Sequence, residues 1–160
     1  PGHFQGVCQV VKRLLEIVSP HTLYLGQKDY QQCMVIKKLI EITGMQTKIV
    51  ICPTKREADG LAMSSRNMRL TADERKKAVL ISQSLLFIKN EIKTGYTDVL
   101  KERVTGFLNA EGFKVDYVEI SDADTLNPVD YWNGKQPLVA LVAAFLNEVR
   151  LIDNMLLTDN

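Results

Sequence analysis

The 160 residues lack any apolar run long enough to span a bilayer, and no signal-peptide pattern opens them. A charge excess is also missing. Twenty basic side chains against nineteen acidic ones leave a net charge of +1, without the clustered basic surplus of a nucleic-acid-binding surface. Histidine is scarce, and His3 and His21 give no sign of a nucleophile–base triad. The three cysteines, Cys8, Cys33 and Cys52, are far apart and have no zinc spacing, so a structural metal site is excluded. Each falls in an apolar helix or strand pattern, which predicts buried free thiols in a reducing compartment. No internal repeat or low-complexity segment appears.

What is present is an ordinary globular composition, 46% hydrophobic and 24% charged, which excludes disorder. Val7, Val10, Val11, Leu14, Leu15 and Val18 recur at helical spacing, and Ser19-Pro20 ends that helix. TLYLG then reads as a strand stopped at Gly26. DYQQCMVIKKLIEITG reads as a helix, capped at its start by Asp29 and ended by Gly44, and TKIVIC as a second buried strand ended by Pro53. Helix, strand, helix and strand with short connections are the mark of a parallel α/β unit. Two strands alone make an incomplete sheet.

After DGLAMSSRN the pattern changes. Thr71 and Glu74 form a capping box for a helix reaching about Lys93, with an apolar stripe of Ala78, Ile81, Leu85, Ile88 and Ile92. A second helix covers Asp98 to Ala110. Three strands follow, FKVDYVEI, PLVALVAAFL and VRLIDNML, the last two joined tightly at Asn147-Glu148 as an antiparallel hairpin. This is an α+β arrangement. The boundary between the two patterns falls near Thr54 to Asp59, dividing the chain into residues 1–56, a parallel α/β unit, and 57–160, a smaller α+β unit.

Open α/β sheets bind ligands in the loops at the carboxyl ends of their strands. The loop after TLYLG carries Gly26, which permits close approach of a ligand, and Lys28, a point charge beside the next helix's amino terminus. Gln32 follows one turn later. From these residues alone, a solvated loop lysine and a surface glutamine are the plainer reading. The TKIVIC strand leads to Ser64, Ser65 and Arg66, two hydroxyls and a guanidinium able to bind phosphate oxygens. A helix-preceding linker would have the same composition.

The blocks PGHFQGV, LGQKDYQQ, PTKREADGLAMSSRN and RLIDN, in this order along the whole chain, resemble the pantothenate synthetase (pantoate–β-alanine ligase) family. The resemblance implies a Rossmann-like core similar to class I aminoacyl-tRNA synthetases, followed by a small lid domain with two helices and a three-stranded antiparallel sheet. It implies a cytoplasmic, dimeric enzyme that uses ATP and Mg²⁺ to make pantoyl adenylate, which β-alanine then converts to pantothenate and AMP. Lys28 matches the family's lysine at the ATP phosphates and the pantoate carboxylate, and Asp29 a neighbour on the nucleotide side. Gln32 matches one of two glutamines holding pantoate's hydroxyls. Ser64, Ser65 and Arg66 match the counterpart of the synthetase KMSKS loop, while Lys55 and Met63 fall at its adenine-side backbone contacts.

Two positions depart from the family, Gln27 where glutamate is usual and Lys55 where an apolar residue is common. No HxGH motif is present, since neither His3 nor His21 has a histidine three residues on. That motif, the second pantoate glutamine and the Mg²⁺ ligands belong to the family's amino-terminal half. The expectation is a carboxyl-terminal portion that is inactive alone. The alternative is a non-catalytic binding or dimerisation fragment of the same fold.

Overall fold

The computed structural model describes residues 2–158, which divide after Thr54 into two compact units. In the first, helix α1 (His3–Val18) precedes strand β1 (Thr22–Gly26). A 3-10 turn at Gln27–Asp29 then leads into helix α2 (Tyr30–Thr43), followed by strand β2 (Lys48–Cys52). The strands pair in parallel, Thr22 opposite Lys48 through Gly26 opposite Cys52. Leu15, Ile36 and Ile40 form the small core, with Leu23, Leu25 and Ile49 packed against them. Alternation along the strands puts Tyr24 and Val50 on the other face, both exposed.

Of the α1 stripe only Leu15 is buried, while Val10, Leu14 and Val18 are 61%, 55% and 66% exposed. Periodicity reports that a face is apolar, not what covers it. Two other readings in this unit need correction. Asp29 makes no side-chain cap bond, because the 3-10 turn puts it at φ −95°, ψ 55° rather than in the extended conformation that aims a capping carboxylate at the first amides. Finally, only Cys33 is buried. Its thiol donates to the Gly26 carbonyl, and burial, followed by the charge of Asp29, raises its pKa. Cys8 and Cys52 are partly exposed.

The second unit holds helix α3 (Ala72–Glu91), strand β3 (Gly95–Tyr96), helix α4 (Asp98–Ala110) and strands β4 (Lys114–Asp122), β5 (Tyr131–Trp132), β6 (Leu138–Leu146) and β7 (Val149–Leu156). The capping box is formed at both bonds: Thr71 Oγ1 accepts from the Glu74 amide, and Glu74 accepts from the Thr71 amide at 2.7 Å. Strands β4, β6 and β7 form an antiparallel sheet in that order. The β6–β7 hairpin turns on two residues, with Asn147 at φ 48°. Ala78, Ile81, Leu85 and Ile88 of α3 and Val104 and Leu108 of α4 form one core with Val118, Ile120, Ala140 and Val142 of the sheet.

Sequence periodicity does not reveal the two-residue pairing of β3 with β5. It is secured beside it by Thr97, whose buried hydroxyl donates to the Val129 carbonyl at 2.6 Å and whose amide donates to Asp130. An α/β unit followed by an α+β unit is the fold class expected from the sequence.

Candidate functional site

In the first unit, the candidate residues cluster where β1 ends. Gly26 has an ordinary extended conformation (φ −78°, ψ 126°), and a Cβ there would meet nothing within 4 Å. Any need for glycine at this position is therefore one of space and not of backbone freedom. Lys28 and Asp29 lie in the 3-10 turn that follows, and Gln32 in the first turn of α2. Lys28 and Gln32 are half-buried, and Asp29 is exposed. A residue that periodicity does not single out lies at the end of the neighbouring strand. Thr54, just past β2, has a hydroxyl that is buried and, among the described residues, has no hydrogen-bond partner.

In the second unit, Lys55 to Met63 form a narrow antiparallel turn. The Met63 amide donates to the Lys55 carbonyl at 2.9 Å and the Glu57 amide to the Leu61 carbonyl at 2.8 Å. Gly60 closes it with φ 92°, a left-handed conformation that favours glycine. Leu61 inserts into the core and anchors the turn. Asp59 accepts from Arg75 of α3 at 2.7 and 3.2 Å, and that pairing holds its carboxyl below the ordinary value of 3.8.

Ser64, Ser65 and Arg66 emerge from this base. Ser64 is extended (φ −158°), and its hydroxyl accepts from the Arg66 amide at 3.2 Å, opening a 3-10 turn over Ser65–Arg69. Asn67 donates from its side-chain amide to the Ala62 carbonyl at 3.0 Å, fastening the turn from below. Ser65 and Arg66 are exposed, as are Met63 and Lys55. The backbone is thus fixed while its guanidinium and one hydroxyl face solvent, an arrangement suited to holding an anion.

The structure therefore brings Gly26, Lys28, Asp29 and Gln32 together in one unit, and Lys55, Met63, Ser64, Ser65 and Arg66 together in the other. Among the described residues, no three His, Cys, Asp or Glu side chains gather into a metal site. Among the described residues, no helix is long and apolar enough to cross a membrane.

The family model described as "Pantoate-beta-alanine ligase" matches residues 1–156. The chain belongs to the pantoate–β-alanine ligase family. Named relatives of this ligase family include the pantothenate synthetase of Acetivibrio thermocellus, 47% identical over 159 residues, and that of Thermotoga neapolitana, 45% identical over 160. Each match takes in 98% of this chain but 56% of the relative, so the chain spans about half the length of the relatives it matches.

Solved structures of ligase family members agree. The pantothenate synthetase of Thermus thermophilus superposes with a TM-score of 0.88 at 37% identity, over 99% of this chain and 58% of that one. The pantoate–β-alanine ligase of Francisella tularensis, solved as a complex with "Beta-gamma ATP" and β-alanine, gives 0.73 at 36% identity over 98% and 51%.

Proposed function

We propose that these residues serve an ATP-dependent ligase that joins pantoate to β-alanine, the rest of its site lying in the length of the relatives that this chain does not span. Residues 1–56 would be the end of its nucleotide-binding domain and 57–160 its lid domain. The observation that carries the reading is the Ser64–Arg66 segment, whose backbone is tied down while its cation and the Ser65 hydroxyl are left exposed, in a chain of this family.

The chemistry follows in two steps. A carboxylate oxygen of pantoate attacks the α-phosphorus of ATP, and the bond to the β-phosphate breaks with its electron pair leaving on pyrophosphate. Negative charge then grows on the phosphoryl oxygens and on the leaving group. Lys28 and Arg66 as cations, and Ser64 and Ser65 as hydroxyl donors, stabilise that charge without reorganising. Gln32 orients pantoate through hydrogen bonds to its hydroxyls, Asp29 sits on the nucleotide side, and Gly26 leaves room for the ligand.

The Met63 amide is engaged by Lys55, so contacts to adenine at this pair use the Met63 carbonyl and the Lys55 amide. In the second step the amine of β-alanine attacks the activated carbonyl carbon, loses a proton, and displaces AMP. No protein nucleophile is needed, which fits the absence of a triad in the sequence. Mg²⁺, when bound with the nucleotide, would supply charge that screens the phosphates. Its ligands would lie outside the described residues, among which no three His, Cys, Asp or Glu side chains gather, and no step above runs through it.

Replacing the matching region of the Thermus thermophilus enzyme by this chain tests the reading. The chimera makes AMP only with pantoate and β-alanine both present, and the 160 residues alone make none. A chimera that folds and makes no AMP counts against it. The half-exposed α1 face, with Val10, Leu14 and Val18, favours a second role for the same chain as a homodimer contact. Sedimentation of Leu14→Glu then shows monomers, and an unchanged dimer excludes that face. The compartment proposed for such an enzyme is the cytoplasm.

A further inference from the structure

The RLIDN block has no part in the chemistry above, yet it holds the one break in an otherwise apolar alternation. On β7, Val149 and Leu151 are buried on the face that packs in the core, opposite Leu146 and Ala144 of β6. The next residue on that face is Asp153, opposite Val142, with a side chain only 4% exposed. A carboxylate in such a place must be paired and hydrogen-bonded.

Its partner is Arg56, 97 positions earlier. Nη1 donates to Oδ2 at 2.6 Å and Nη2 to Oδ1 at 3.1 Å, while Oδ1 also accepts the Asn154 amide at 2.8 Å. The same guanidinium reaches the turn that leads into Ser64. Nη1 donates to the Gly60 carbonyl at 3.1 Å, and Nη2 to the Asn154 carbonyl at 3.4 Å. One rigid fork, carried at the base of the Lys55–Met63 turn by Arg56, therefore ties a strand of the main sheet to that turn and to Gly60 at its closed end. Apolar residues could hold strand and turn together equally well, but without fixing an angle between them, whereas a bidentate pair sets orientation.

We propose that Arg56 and Asp153 are a positioning pair, which sets the direction in which Ser64, Ser65 and Arg66 leave the domain and so their alignment on the phosphates. This rests on the phosphate-binding reading of that segment. Asp59–Arg75 is a second tie from the same turn, to α3, but it lies at the surface and fixes the tip and not the base.

The test uses the chimera in which this chain replaces the matching region of the Thermus thermophilus enzyme, and two variants of it, Arg56→Lys, and the double variant Arg56→Met with Asp153→Leu. The lysine keeps the charge and loses the fork. The double variant removes both charges, so no buried ion is left unpaired and thermal stability stays at or above wild type. Both are expected to lose roughly ten- to a hundredfold in kcat/KM for ATP, with the KM for pantoate unchanged. Hydrogen exchange at the amides of Met63–Arg69 accelerates in both, while exchange in α3 and the sheet does not.

A double variant that regains stability and full kcat/KM for ATP overturns the proposal, as does wild-type exchange at Met63–Arg69. A folded chimera without these substitutions that makes no AMP from ATP, pantoate and β-alanine refutes the ligase reading instead. The exchange measurement still decides whether the pair orders the segment.

Discussion

Arg66→Ala separates chemistry from stability more cleanly than any other single change. Among the described residues, the Arg66 side chain has no ion pair or hydrogen bond. Its backbone amide bonds Ser64 Oγ, and the side chain is exposed. Truncation therefore leaves no buried partner stranded and costs folding no more than about 0.5 kcal/mol. A guanidinium that bonds phosphoryl oxygens as charge develops is worth far more to the reaction, on the order of 3 kcal/mol, or roughly a hundredfold in rate.

The two numbers differ enough that one experiment resolves them. Thermal melting of the variant stays within about 2 °C of wild type, while steady-state AMP release falls roughly a hundredfold in kcat/KM for ATP. The effect is also expected in kcat, because the interaction strengthens in the transition state. An Arg66→Ala protein with kcat/KM within about twofold of wild type would refute the reasoning, since no interaction of that size was then being made. So would equal losses of activity and folded protein, which would assign the residue to structure.

Other perturbations probe the frame around the segment. Leu108→Ala, at a fully buried position between α4 and the sheet, destabilises the second unit by about 2–5 kcal/mol, read from denaturant midpoints at unchanged slope. Thr71→Ala removes the hydroxyl that accepts the Glu74 amide and costs about 1 kcal/mol, and Thr71→Ser retains most of it. The pH dependence follows from Asp59 and Glu74. Pairing with Arg75 lowers the Asp59 pKa from 3.8, and the Thr71 amide, followed by Asn147, lowers that of Glu74 from 4.5. Folded values below unfolded ones mean that this stability is fully present above about pH 4.5 and is lost as pH falls below the ordinary range. Urea midpoints taken between pH 6 and pH 3 should fall at the low end, and less so in Asp59→Asn.

Local chemistry in the sequence was enough to place most elements, because their ends are set by residues close in the chain. Thr71 and Glu74 start α3, Gly44 at φ 66° ends α2, and Asn147 turns the last hairpin. Asp29 failed as a cap because the chain was already turning before it, which composition does not register. The β3–β5 pair was illegible, since two residues carry no period, and their position depends on Thr97 reaching Val129 over 32 positions.

The site divides similarly. Lys28, Gln32 and the Ser64–Arg66 group stand out as polar residues after strand ends, loop composition alone does not separate them from linkers, and their proposed roles rest on the family motifs. Arg56 and Asp153 were missed although a signal existed. Asp153 occupies an inward position of β7 where the alternation demands an apolar side chain, and such a break marks a distant partner.

The central claim is that pantoate is activated by ATP before the amine takes part. Exchange of labelled pyrophosphate into ATP, measured with the chimera of this chain and the Thermus thermophilus enzyme, tests it most directly. The account predicts exchange that requires pantoate, proceeds without β-alanine, and collapses in Lys28→Ala. Exchange that appears only when β-alanine is added, or cleavage of ATP to ADP and phosphate, would contradict it.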